Sequence, residues 1–120
     1  MAKLLNNKFI ILAVTLVLVG CQPTMNSVSL VNDSSSVIQK ATIQVSGQSF
    51  FFENIPPSEK RDFSFRVRSD SDYSVKIIFA NGKELSRNQL GYVTSGVNSQ
   101  EIIHVKDADI ILENIGRDLH

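Results

Sequence analysis

Phe63-Ser64-Phe65-Arg66-Val67-Arg68, a polar break at Ser69-Asp70-Ser71, and then Tyr73-Ser74-Val75-Lys76-Ile77-Ile78-Phe79 are the residues that decide the fold class. Apolar and polar side chains alternate through both runs, and only a β-strand sends every second side chain to one face. The alternation continues outward. Ala41, Ile43 and Val45 interleave with Lys40, Thr42, Gln44 and Ser46, and Phe50, Phe52 and Ile55 share a face that Phe51 does not. Shorter apolar runs lie at 28–31, 102–105 and 110–112, and a less regular one at 90–94. Beyond residue 20, no segment keeps a 3.6-residue apolar period for three turns, so helices are not expected there.

Turn signals fall between these runs. Ser46-Gly47 and Asn81-Gly82 read as two-residue hairpins, because glycine tolerates the positive φ of primed turns. Asp33-Ser34-Ser35-Ser36, Pro56-Pro57-Ser58, Ser69-Asp70-Ser71 and Ser95-Gly96 are longer polar breaks. Seven or eight short strands with turns every 8–12 residues predict an all-β fold, a small antiparallel β-sandwich, with a small β-barrel as the alternative. The expected core is Ala41, Ile43, Val45, Phe50, Phe52, Phe63, Phe65, Val67, Tyr73, Val75, Ile77, Phe79 and Ile103. The size and strand count resemble an immunoglobulin-like domain. With a single cysteine and no tryptophan, the hallmark disulfide and its tryptophan are missing, so the likeness is architectural.

The N-terminus reads differently. Residues 1–8 carry Lys3 and Lys8 and no acid, and 9–19 is apolar apart from Thr15. A basic start, an apolar stretch of this length and a small residue at its end form a secretory signal, expected as a short helix that is later removed. The stretch would span only about 16 Å as a helix, against about 30 Å of hydrocarbon. Leu18-Val19-Gly20-Cys21 closes it, and Cys21 is the only cysteine of the chain. This tetrad resembles the lipobox of bacterial lipoproteins. The resemblance implies a diacylglyceryl group on the Cys21 sulfur, cleavage between Gly20 and Cys21, and acylation of the new amino terminus. The thiolate is the nucleophile that such chemistry requires. Two or more acyl chains anchor a protein stably, and a thioether at Cys21 leaves no thiol for a disulfide or for catalysis. Gln22, where an aspartate would signal inner-membrane retention, implies the outer membrane facing the periplasm in a two-membrane host.

The expected organisation is therefore a signal peptide (1–20), a lipidated tether (21–26) and a β-sandwich (27–120). Removing 1–20 takes away two lysines and no acid, leaving ten Lys and Arg against 12 Asp and Glu, a net charge near −2. No basic footprint for nucleic acid is present.

Candidate chemistry is sparse. Asp70 and Asp72 supply oxygens, but a calcium site wants six to eight, and Ser-Asp stretches of this kind make turns. His104 is expected as a solvated strand residue facing away from Ile103 and Val105, and His120 is C-terminal. No His-x-His or His-x₃-His spacing suggests a metal, and no Gly-x-Ser-x-Gly elbow suggests a hydrolase. No cofactor is expected beyond the covalent lipid. Arg66 and Arg68 share a face, either as charges protecting an edge strand or as contacts for a phosphate, a headgroup or an acidic partner. Phe51 is forced away from the core, and a covering loop is the first expectation for it, a partner or lipid the next. Tyr92, after Gly91, is expected near a loop surface. Phe51, Arg66, Arg68 and Tyr92 form the candidate interaction surface. The reading is a non-catalytic binding or assembly accessory of the envelope, in contact with the membrane, the lipoprotein-processing and export machinery and an envelope protein. A carbohydrate- or small-ligand-binding module is the alternative, and a small hydrolase comes third.

Overall fold

A computed structural model describes residues 25–119 of the chain. The lipobox from Leu18 to Cys21, the cleavage position and His120 lie outside the described residues. Eight strands follow one another: β1 (Met25–Asn32), β2 (Ile38–Val45), β3 (Gln48–Ile55), β4 (Lys60–Arg66), β5 (Ser71–Phe79), β6 (Glu84–Val93), β7 (Val97–Val105) and β8 (Ile110–Leu119). They form two four-stranded sheets, ordered β4-β1-β7-β8 and β3-β2-β5-β6. No ladder joins one sheet to the other, so the molecule is a sandwich and not a closed barrel. Among the described residues, no helix is long and apolar enough to cross a membrane.

One pairing departs from the expected antiparallel pattern. β1 lies between β4 and β7 and runs parallel to β7, Ser27 opposite Gln100 and Asn32 opposite Val105. Alternation reports which face a side chain takes and carries no information on strand direction. The hairpins also differ from each other. Ser46 (φ 52°) and Gly47 (φ 70°) form the expected two-residue primed turn. At Asn81-Gly82 the loop is one residue longer. Phe79 donates its amide to the Lys83 carbonyl, and Gly82 donates back to the Phe79 carbonyl. Only Gly82 has positive φ there, at 90°. This is a type I turn closed by a left-handed glycine, a common three-residue hairpin loop.

The inner faces meet in one core. Val28, Leu30, Phe65, Ile103, Val105 and Ile110 face Ala41, Ile43, Val45, Tyr73, Val75, Ile77 and Phe79. Three expected core residues, Phe50, Phe52 and Phe63, are only partly buried. They belong to the edge strands β3 and β4, along one lateral side of the sandwich. There they pack ring on ring, with centroids 4.6 Å apart for Phe50–Phe63 and 5.7 Å for Phe52–Phe63. Periodicity assigns a face, but distance from a sheet edge is a tertiary property. The opposite side is closed by a tight approach of β6 to β8. Gly91 (φ 67°) sits so near Leu112 that an added Cβ would meet its Cδ2 at 2.7 Å. Arg87 reaches across to Asp109 (2.8 Å) and to the Ile110 carbonyl (3.3 Å).

Candidate functional site

The sandwich has two poles and two outer faces, and its polar residues divide among them. The pole bearing the β1–β2, β3–β4, β5–β6 and β7–β8 connections is bonded internally. Asn32, fully buried at an inward position of β1, donates to the carbonyls of Ser36 (2.8 Å) and Ile55 (2.9 Å). Its Oδ1 accepts from the Ser34 amide (3.0 Å) and hydroxyl (2.6 Å). Nearby, the Ser35 amide and hydroxyl both donate to Asp107 Oδ1, each at 2.8 Å. Those two bonds, with the charge of Lys83 adding to them, hold the Asp107 carboxyl below the usual carboxylate range.

His104 is not the freely solvated residue that its strand position suggests. Its Nδ1 lies 2.5 Å from Asp33 Oδ2 and its Nε2 lies 3.7 Å from Glu113. The ring thus ties the β1–β2 connection to β7 and β8. The hydroxyls of Ser34 and Ser35 are committed to Asn32, Ser36 and Asp107, and among the described residues His104 makes its polar contacts with Asp33 and Glu113. No cluster of three or more His, Cys, Asp or Glu suited to a metal occurs among the described residues.

At the other pole a buried polar group replaces apolar packing. Glu101 is 2 % exposed and accepts from the Tyr73 hydroxyl at 2.8 Å and from Ser99 at 3.3 Å. Burial, then the Glu101 charge and its hydrogen bond, push the Tyr73 phenol well above its ordinary value. Buried Asn26 lies beside Tyr73, its own Oδ1 left without a partner. These residues went unnoticed in the sequence, although a signal existed. Asn26, Asn32, Ser99 and Glu101 all occupy inward positions of otherwise apolar alternations.

Asp70 acts as a turn residue. It accepts from the Ser95 amide (3.2 Å) and hydroxyl (3.3 Å), so it fastens the β4–β5 turn to the β6–β7 turn. Asp72 opens β5 beside it. The four candidate interaction residues do not form one surface. Arg66 ends the edge strand β4 opposite Met25, and Arg68 lies in the next turn, where its amide donates to Ser46 Oγ. The Tyr92 hydroxyl lies 3.4 Å from Asp70, and its ring is 56 % exposed. These three lie at the pole where β1 begins.

Phe51 stands apart, on the outer face of the β3-β2-β5-β6 sheet. It is 70 % exposed, and the covering loop expected for it is not there among the described residues. The reason is topological. The chain leaves β3 through the prolines toward the other sheet, and β2 and β5 carry their connections at the poles, away from this face. The register sets Phe51 opposite Thr42, Thr42 opposite Lys76 and Lys76 opposite Ser86. The next row holds Ser49, Gln44 and Ser74. Two shallow hollows of about 270 Å³ and about 360 Å³ lie over these rows and share Gln44 and Ser74 as a common wall. Among the described residues, none of the side chains of Thr42, Gln44, Ser74, Lys76, Ser86 and Asn88 is committed to a hydrogen bond. The face thus offers one exposed apolar ring and a set of hydroxyl and amide side chains without a hydrogen-bond partner among the described residues.

No protein-family model matches the chain, and no curated protein matches it. A solved structure, the NMR structure of a protein from Eubacterium rectale, is similar in fold. It superposes with a TM-score of 0.56 at 15 % sequence identity, over 79 % of this chain and 94 % of that one. At that identity the likeness concerns the fold alone.

Proposed function

We propose that the protein is a lipid-anchored, non-catalytic binding or assembly accessory of the bacterial cell envelope. The observation that carries this reading is a juxtaposition. The lipobox ends at Cys21, and the first strand of a folded body begins at Met25. Four residue steps cover at most about 14 Å, so lipidation at Cys21 would hold the domain against the bilayer. The pole where β1 begins, with Arg66, Arg68 and Tyr92, would then face the headgroups. The long outer face bearing Phe51 would stand to the side, open to a partner.

The test is the intact mass of the protein isolated from bacterial membranes. The expected species begins at Cys21 and carries the added diacylglyceryl mass, and Cys21→Ala abolishes both the modification and the cut after Gly20. A soluble, unmodified product with another N-terminus would overturn the proposal.

A further inference from the structure

We infer that the outer face of the β3-β2-β5-β6 sheet binds an uncharged, polyhydroxylated glycan strand, with one sugar ring stacked on Phe51. This deepens the reading of the protein as a binding domain by naming the class of ligand. Three features of the face select that chemistry. First, its free groups are mainly hydroxyls and carboxamides: Thr42, Ser74, Ser86, Gln44 and Asn88. Such groups both donate and accept, as sugar hydroxyls do. Second, the charges in the two hollows are Lys76 and Asp72, of opposite sign. A phosphate or a polycation would meet charges of both signs here, with Lys40 set opposite Glu53 in the adjoining row. Third, Phe51 presents an exposed ring at the β3 rim, cross-strand from Thr42. The apolar C–H face of a pyranose can cover such a ring and remove its surface from water.

The same features disfavour an apolar protein surface. Pressed onto this face, it would strand five or six free polar side chains without a hydrogen-bond partner, an expensive loss. A peptide adding itself as a strand would engage a sheet edge and not this face. The geometry suits an extended chain. Four strands at about 4.8 Å spacing make the face about 14 Å across, and the hollow that begins at Thr42, cross-strand from Phe51, continues over Lys76 to Ser86 and Asn88 on β6.

The test is a titration of the purified full-length, isotope-labelled protein in detergent micelles, followed by backbone amide shifts. The probes are cellohexaose, chitohexaose and mannohexaose, with polygalacturonate as an anionic control. At least one neutral hexasaccharide is expected to move the amides of Thr42, Gln44, Lys76 and Ser86, and polygalacturonate is not. Phe51→Ala should weaken that binding roughly five- to tenfold, whereas Phe51→Tyr, which keeps the ring, should retain it. Because Phe51 is exposed, the thermal midpoint of either variant should match the parent. Shifts confined to the other sheet, preference for the anionic chain, indifference to Phe51→Ala, or no shift with any neutral hexasaccharide would each overturn the inference. The mass measurement on Cys21 is unaffected by any of these outcomes, so failure of glycan binding and failure of the anchoring proposal are read separately.

Discussion

At the pole built from the β1–β2 and β7–β8 connections, Asn32, Ser34, Ser35 and Asp107 are bound to one another and to the backbone. On the outer face of the β3-β2-β5-β6 sheet, the side chains of Thr42, Gln44, Ser74, Ser86 and Asn88 have no hydrogen-bond partner among the described residues. The two regions have similar residue types and opposite uses for them. A polar side chain at an inward or loop position must satisfy backbone groups that water cannot reach. One on an outward strand position has water as its partner and can exchange it for a ligand. Composition does not separate the two cases; position in the sandwich does.

Substitutions can break or sharpen this contrast. The largest effect is expected at Asn32. Asn32→Leu removes the partners of two carbonyls and of Ser34 from a fully buried site, which should destabilise the fold by about 3–5 kcal/mol, measured by urea unfolding. A loss below about 1 kcal/mol would mean that water replaces the amide there.

Tyr73→Phe comes next, at about 1–3 kcal/mol, because it withdraws a hydrogen bond from buried Glu101. Its pH dependence has a definite sign. Folding raises the Tyr73 value above the ordinary 10.0, so the folded state holds the proton more tightly than the unfolded state. That contribution is complete below the ordinary value and is lost as pH rises beyond it. The stability gap between the parent and Tyr73→Phe should therefore narrow as pH rises past 10.0, and a constant gap would contradict this account.

Gly91→Ala should cost about 1–2 kcal/mol from the left-handed backbone alone. Leu112 must also shift to admit the new methyl. The smallest effect is expected on the open face. Gln44→Ala and Asn88→Ala should each change stability by no more than about 0.5 kcal/mol. A loss as large as that of Asn32→Leu would erase the distinction between the two regions.

The contrast also marks how far the chain was readable. Alternation from Phe63 to Phe79 was sufficient for strands, and Ser46-Gly47 for a primed hairpin, because both depend on residues adjacent in sequence. The inward placement of Phe65, Tyr73, Val75 and Ile77 follows from the same period. Phe51 was legible as facing away from its neighbours, but its exposure depended on where distant loops run. The ties of His104 to Asp33 and of Asp70 to Ser95 join segments 71 and 25 residues apart. Neither half of such a contact announces the other. Asn32 and Glu101 carried a signal, a polar residue at an inward position, whose meaning required knowing what surrounds it.

Local physics therefore determined the strands, their faces and most of the turns, since each depends on side-chain period or backbone preference. Only the tertiary structure decided that β1 runs parallel to β7, that the phenylalanines of β3 and β4 close one side while Gly91 closes the other, and that one sheet keeps an open polar face around Phe51. Those outcomes arise from which strands become neighbours and which become edges, a choice made by packing the whole chain at once.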